Sequence, residues 1–544
     1  MTEEIKRILK DSAPMRWLIL VMVSLLMFAT YWFQDFYSGL KPLLESQLGI
    51  TPSQYGSMIS LTTIANVFGM IIIGGVILDK WGIRLTAMIF GTVAVLGGII
   101  SALGANDILS TDPNTRLNIM IIGRVVFGVG LEITCVLITR TIVKWFKGYE
   151  LAMAMAINMG IGRLGSAIGT AISPEIAKNN APTAVTFAAG LICVGFIFYI
   201  IYLIFDVKID KQLKAQATEE EEPFRFDDLK QLVTNKSFLL IAALCVAFYS
   251  AVFPFMQYAP ELLVNKFGFS YQLPEGVTGL TIFGSATLGN TLLFVGLFLF
   301  GVAFPILPAN IKEKAGKRMA VIITGVLFVA FLYAFKDTFA IWIKNGPKAA
   351  ALLPMGTIFF TPIFGRMVDK KGKAASVMLL GAGLLIFAHV ALSIFNNVYL
   401  CYLGLFTLGI AFSLVPAAMW PSVARIVPER RLGTAYAAMF TIQNWGLFLF
   451  FKGIGSVLQW VNPETVEKIQ KIREGFEAQG LNPTQIAEEI EKLRVADPSF
   501  PIYNYTIPIL MLVGCGVIAV FLAVALKKTT TKQGYKLEEP FGGK

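Results

Sequence analysis

Gly75-Val-Ile-Leu-Asp79-Lys80-Trp-Gly82-Ile-Arg84 and Gly365-Arg366-Met-Val-Asp369-Lys370-Lys-Gly372-Lys373 carry one pattern, G-x-x-x-D-K-x-G, twice in the chain. The paired positions 75 and 365, 79 and 369, and 82 and 372 are each 290 residues apart. Each copy ends a long apolar run and is followed by another. Each therefore reads as a tight, charged cytoplasmic turn between two membrane helices. Two halves on one plan predict an internally repeated membrane protein, the architecture of secondary transporters.

Composition agrees. The chain is 56% hydrophobic and 15% charged, where soluble domains average about 25% charged. Mean hydropathy is +0.67. The net charge of +11 lies in short loops, which is the positive-inside bias and not a nucleic-acid surface. Cys135, Cys193, Cys245, Cys401 and Cys515 all fall in apolar segments, and no disulfide framework is visible. The first residues read as a short charged tail before a full-length span, not as a cleavable signal.

Runs of about 20 apolar residues mark spanning helices. They are expected at 15–38, 52–78, 85–106, 117–143, 149–173, 183–206, 236–262, 284–308, 319–343, 348–368, 374–395, 398–424, 432–458 and 501–526, which makes 14. The basic loops at Lys80/Arg84, Lys144/Lys147, Lys370/Lys371/Lys373 and Arg425/Arg430/Arg431 place both ends inside. The repeated turn follows the second and the tenth span. Removing the spans at 284–308 and 319–343 restores a six-plus-six plan. The expected fold is an all-α membrane protein of two six-helix halves plus an inserted two-helix hairpin. Residues 1–206 form the first half and 236–544 the second. Residues 207–235, with Glu219–Glu222, are a cytoplasmic linker. The inserted pair, 284–343, should pack outside the second half and leave the cavity clear. An alternative makes one of its segments re-entrant or surface-lying. Residues 459–500 read as an external amphipathic hairpin.

The doubled turn resembles motif A of the major facilitator superfamily, and Arg124-Val-Val-Phe-Gly128-Val-Gly130 resembles its R-x-x-x-G-x-G motif. The run Gly123-Arg124 to Gly130-x-Glu132, then Trp145-Phe-Lys-Gly148-x-Glu-Leu151 and Arg163-x-Gly165-Ser166, is similar to the branch that includes lysosomal dipeptide transporters. Ala251-Val-Phe-Pro254-Phe, Lys266-Phe-Gly-Phe-Ser270, Leu432-Gly-Thr-Ala-Tyr436 and Ile442-Gln-Asn444 continue the likeness. The inserted pair and the 459–500 hairpin depart from it.

A charge at bilayer depth is costly, so it is normally paired or lines a cavity. Glu132 is about 15 residues into its helix and Arg163 about 14 into the next, roughly 21–22 Å each at 1.5 Å per residue. Both sit near mid-depth. Such a pair reads either as a structural salt bridge or as the two ends of a zwitterion site, with Arg offering bidentate carboxylate recognition. The resemblance implies substrate contact. In the second half Tyr249, Trp420, Gln443 and Asn444 lie on helices that line the cavity in this fold, and either pack or bind. Asp79 and Asp369, with Arg84, Lys80, Arg366 and Lys370 nearby, read as gate residues. Arg124, Asp35 and Glu132 are candidates for proton coupling, with Asp35 expected to pair with Arg124. His389, the only histidine, reads as core or interface.

No G-x-x-x-x-G-K-[ST] loop is present, so any drive comes from gradients. The resemblance implies alternating-access transport of dipeptides or similar small zwitterions, by uniport or proton symport. The alternatives are a proton-coupled organic anion or drug carrier, and a non-transporting membrane sensor. No enzyme chemistry, cofactor, metal or nucleic acid is expected. The partners are the small-molecule substrate and the lipid bilayer, and the chain is expected to be a monomer. A bacterial inner membrane is the expected location, with the lysosomal membrane as the alternative suggested by the resemblance and by Glu4-x-x-x-Ile8-Leu9.

Overall fold

A computed structural model describes residues 9–213, 226–273, 280–428 and 431–540. The acidic run Glu219–Glu222, Arg430 and most of the Glu4–Leu9 pattern lie outside them. The described chain is helical apart from two isolated bridges, one of which ties Ser270 to Asn345. Eleven of its helices are long and apolar enough to cross a membrane. This is a multi-pass membrane protein.

The first half contains α1 (Ala13–Leu48), α2 (Pro52–Leu61), α3 (Ile64–Val67), α4 (Met70–Ala105, two helical stretches joined by the turn at Gly82), α5 (Pro113–Phe146), α6 (Leu151–Ala177) and α7 (Ala181–Leu213). The short α8 (Phe226–Thr234) leads to α9 (Lys236–Phe267), α10 (Ala286–Ala309), α11 (Lys314–Ala334), α12 (Lys336–Trp342), α13 (Gly346–Lys371) and α14 (Ala374–Ile394). Then come α15 (Val398–Ile426), α16 (Leu432–Val461), α17 (Pro463–Ala478), α18 (Pro483–Ala496) and α19 (Thr506–Lys532). Starts are set by local chemistry. Asp112 caps α5 ahead of Pro113, and Asn235 caps α9. Asn345 caps α13, and Thr51/Gln54 form a capping box on α2. Each side-chain oxygen satisfies an amide that the helix leaves unpaired.

Three expected boundaries need correction. The first helix does not stop at 38; it continues through Lys41 and Pro42 to Leu48. The span expected at 52–78 is broken at residues 62–69, where Gly69 adopts φ 79°. The expected linker starts later than 206, because α7 runs on to Leu213. Of 52–78 only the part from Met70 belongs to one of the eleven, and at 149–173 and 432–458 the structure has the long helices α6 and α16, which are too polar to count among them. These are the elements that pack protein against protein. α6 carries Arg163 and a run of glycines and packs on both α1 and α13, while α2 packs on α16. A helix that faces protein does not need an apolar surface.

Small residues set the closest approaches. A Cβ on Gly165 would collide with the Phe28 carbonyl of α1, and one on Gly455 of α16 with the Pro52 carbonyl of α2. Small residues let helix backbones approach where no hydrophobic drive exists between them. The inserted region departs from expectation too. α10 does not lie on the second half alone: it packs across α6 and α13, one helix from each side of the repeat. α11 lies outside it, and Thr324 is its one buried residue.

Candidate functional site

Glu132 lies at the middle of α5, and Arg163 at the middle of α6. Both are half-buried. No ion pair within 4.0 Å joins them among the described residues. The Arg163 guanidinium reaches across to the second half and sits over the rings of Phe412, at 4.8 Å, and Phe253, at 5.6 Å. Tyr31 of α1 lies within electrostatic range of Arg163, Glu132 and Asp35. The arrangement is thus an anion and a cation at mid-depth, held apart, with an aromatic surface beyond.

That surface belongs to α9, α15 and α16. Tyr249 stacks on Phe253 with centroids 5.3 Å apart, and Phe253 meets Phe412 edge-on at 5.5 Å. Trp420 donates from Nε1 to the Tyr249 hydroxyl at 3.0 Å and stacks on Phe440 at 4.8 Å. Tyr436 donates to the Trp420 carbonyl at 3.2 Å. The structure therefore brings Tyr249 and Trp420 together opposite Arg163. Gln443 and Asn444 are buried in their own half. Cys245 Sγ contacts the Gln443 amide oxygen at 3.4 Å, and Asn444 donates to the Phe440 carbonyl. They support the aromatic wall from behind.

Asp35 and Arg124 do not pair as expected. Arg124 is fully buried and donates to the backbone carbonyls of Phe33, at 2.8 Å, and Gln34, at 3.4 Å. Its guanidinium lies 5.0 Å from the Tyr37 ring. Asp35 accepts instead from Gln257 Nε2 of α9, at 2.7 Å, and from Ser166 of α6. His389 is core, bonded to the Leu385 carbonyl at 2.9 Å.

The two turns differ. Asp79 lies 3.5 Å from Arg140 of α5. Arg84 binds Asp206, at 2.9 Å, and Asp210 of α7. Lys144 reaches the same two aspartates at 2.6 Å each. Asp369 and Lys370 are exposed, and among the described residues Asp369 has no ion-pair partner. Arg366 donates to the Pro305 carbonyl of α10 at 2.6 Å.

The outer seam holds residues that the sequence reading missed. Lys41 is fully buried between Glu45, at 2.7 Å on its own helix, and Glu261 of α9, at 2.5 Å. Tyr505 donates to Glu261. Lys348 of α13 binds Glu175 of α6, and Asn290 of α10 donates to the same carboxylate at 3.1 Å. Tyr271 donates to the Gly39 carbonyl at 2.9 Å and Tyr55 to the Gln257 carbonyl at 3.3 Å. These bonds join the N- and C-terminal helices at the end where α1 and α9 finish. Their signal was present: Glu261 and Lys348 are single charges beside apolar runs, and such charges need partners.

A model of the Major Facilitator Superfamily matches residues 23–346. The chain is 25% identical over 455 residues to the lysosomal dipeptide transporter MFSD1 of Danio rerio, covering 81% of this chain and 80% of that one. The human protein of the same name is 24% identical over 460 residues, covering 81% and 80%. Among solved structures, a bacterial homologue of the human lysosomal transporter Spinster, in an inward-facing and occupied conformation, superposes with a TM-score of 0.57. It is 13% identical, and the superposition covers 96% of this chain and 98% of that one. At that identity the likeness concerns the fold.

Proposed function

The chain belongs to the Major Facilitator Superfamily, and we propose that it moves dipeptides or similar small zwitterions across the membrane by alternating access. One observation carries this reading. Glu132 and Arg163 are opposite charges at mid-depth that are half-buried, and no ion pair within 4.0 Å joins them among the described residues. A structural pair would be closed, because an open one keeps its full desolvation cost. An open pair suits a ligand that brings both signs. The substrate ammonium goes to Glu132 and its carboxylate to the Arg163 fork. The shelf of Phe253, Phe412, Trp420 and Tyr249 takes the side chains. Because the shelf and the charges lie in different halves, a bound ligand bridges them and favours a closed arrangement. The relatives named as dipeptide transporters support this substrate class.

On this reading two six-helix halves, within 1–206 and 236–544, rock around the site, and α10 and α11 are added to that core. Asp79 and Arg84 hold the first turn as the halves move. Asp35, bonded across the seam to Gln257, is the group through which a proton would couple. Thermal stabilisation of the purified protein against dipeptides, tripeptides, free amino acids and organic anions tests the proposal. Dipeptides should raise the melting temperature most. Stabilisation by organic anions alone would replace this reading with an anion carrier.

A further inference from the structure

The inserted helix α11 is the least buried of the eleven spans. It packs on α10, and Thr324 is its one buried residue. Phe328 and Phe331 turn inward onto Phe300 of α10, at 5.2 and 5.4 Å, and Phe328 also meets Phe359 of α13 at 5.5 Å. On the other faces Met319, Val321, Ile322, Val326 and Val329 are exposed. An apolar surface of this extent marks contact with lipid or with a partner.

The turn that enters α11 carries Lys312, Lys314, Lys317 and Arg318 against one acid, Glu313. All five are exposed, and none has an ion-pair partner among the described residues. Arg366 of α13 adds a cation at the same end of α10, where it is held to the Pro305 carbonyl. Beyond it on α13, Asp369 and Lys370 bring one charge of each sign. Cations of the other basic loops are answered by the protein itself. Arg16 binds Glu150 at 2.9 Å, Arg84 and Lys144 bind Asp206, and Arg425 is held by the Lys536 carbonyl. Nor do the cations of this turn serve α11. Lys314, Lys317 and Arg318 lie within its first five residues, where positive charge opposes the helix dipole.

We propose that the turn between α10 and α11 is a docking surface for anionic phospholipid headgroups of the cytoplasmic leaflet. The positive-inside bias places the turn at that surface. Four basic residues beside a spanning helix are the pattern that attracts such lipids. Phosphate oxygens supply the negative charge that the protein withholds. The apolar flank of α11, which continues directly from Arg318 into Met319, takes the acyl chains. α10 carries this anchor to both repeats, since it packs on α6 and on α13. The inference rests on the chain lying in a membrane and not on the identity of its substrate.

The test uses the full chain in detergent, with bound phosphatidylglycerol and phosphatidylcholine counted by native mass spectrometry. The wild type should retain phosphatidylglycerol in preference. A variant carrying Lys312→Gln, Lys314→Gln, Lys317→Gln and Arg318→Gln should lose affinity for it by about fivefold per charge removed, and keep its affinity for phosphatidylcholine. Glu313→Gln leaves every cation in place and should bind phosphatidylglycerol more tightly, which reads the same surface if the fourfold variant folds poorly. A matched control carries Lys80→Gln, Lys147→Gln, Lys208→Gln and Lys211→Gln, four exposed cations of the first half. It loses the same net charge and should keep the preference. An equal loss in the control would reduce the effect to diffuse surface charge and overturn the proposal. So would a wild type that retains the two lipids alike, or one that binds inorganic phosphate as tightly as the lipid. Failure of dipeptide binding would leave these lipid counts unchanged, so the two proposals fail separately.

Discussion

The first copy of the repeated turn is held by helices of its own half, and the second by the chain that follows the last helix. Around Gly82, Arg84 and Lys144 are clamped to Asp206 and Asp210 at the inner end of α7. Around Gly372, the segment 535–540 lies against the turn. Lys373 and Ala374 donate backbone bonds to the Glu538 and Leu537 carbonyls, at 3.0 Å each. The Glu538 carboxylate accepts from the Ser376 amide at 3.0 Å and its hydroxyl at 2.7 Å, so it caps the start of α14. Arg425 grips the Lys536 carbonyl at 2.6 Å. The shared residues thus specify a backbone turn, with φ 72° at Gly82 and 68° at Gly372. They do not specify what holds it. Each half supplies an acid from the end of its last helix or just beyond; the first copy's Arg84 binds that acid, whereas the second copy's Arg366 turns to the Pro305 carbonyl.

Removing the two acids should have the largest effect. Asp206 is 1% exposed in its side chain and serves two cations. Asp206→Ala should cost about 1.5–3 kcal/mol, because it removes the charged hydrogen bonds from Arg84 and Lys144 and leaves them only Asp210. Glu538 is 32% exposed, and Glu538→Ala should cost about 1 kcal/mol or less. Thermal unfolding of both variants checks the order. Equal losses would mean that the two turns are held alike.

A smaller effect sharpens it. Alanine at either glycine pays about 1–2 kcal/mol for a left-handed backbone. A Cβ at Gly82 meets nothing within 4 Å, whereas one at Gly372 strikes the backbone of Glu538 and Glu539. Gly372→Ala should therefore lift the segment 535–540 and speed trypsin cleavage at Lys536. Gly82→Ala should not. Equal cleavage in both would separate the segment from the turn.

The smallest effect on stability concerns the aspartates. Asp369→Asn changes an exposed, unpaired side chain and should stay within about 0.5 kcal/mol with normal turnover in liposomes. Asp79→Asn should slow turnover while leaving substrate affinity in place. Slowing by both variants would restore the symmetric gate that the sequence pattern suggests.

The repeat, the lipid-facing spans and the mid-depth charges were legible in the sequence because each leaves a local mark: a motif, an apolar run, a lone ion in that run. Helices that face protein leave weaker marks. The break at 62–69 hides in a run with enough serine, threonine and asparagine to satisfy itself, and α6 and α16 are too polar to stand out. The first span was expected to end at 38, short of Lys41 and Pro42. Proline costs a helix one hydrogen bond and a kink, and here the packing of α1 on α6 and α9 carries the helix onward. The partners Glu261 for Lys41, Glu175 for Lys348 and Glu538 for the second turn are far apart in sequence, and only the fold could join them. At the site, Glu132 and Arg163 were singled out by depth, and their role as substrate contacts came from the family resemblance. The burial of Gln443 and Asn444 behind the aromatic wall depends on how α16 is rotated, which the sequence pattern left open.

On the proposed function, Glu132 and Arg163 hold the two ends of a zwitterion. Binding of one dipeptide in free, N-acetylated and C-amidated forms, measured by calorimetry on the wild type, Glu132→Gln and Arg163→Ala, tests it most directly. Losing one charged partner in a desolvated site costs about 2–5 kcal/mol, which is roughly thirtyfold or more in affinity. N-acetylation should weaken binding to the wild type by that factor and add little in Glu132→Gln. C-amidation should do the same for Arg163→Ala. Equal binding of free and blocked peptides to the wild type would contradict the account.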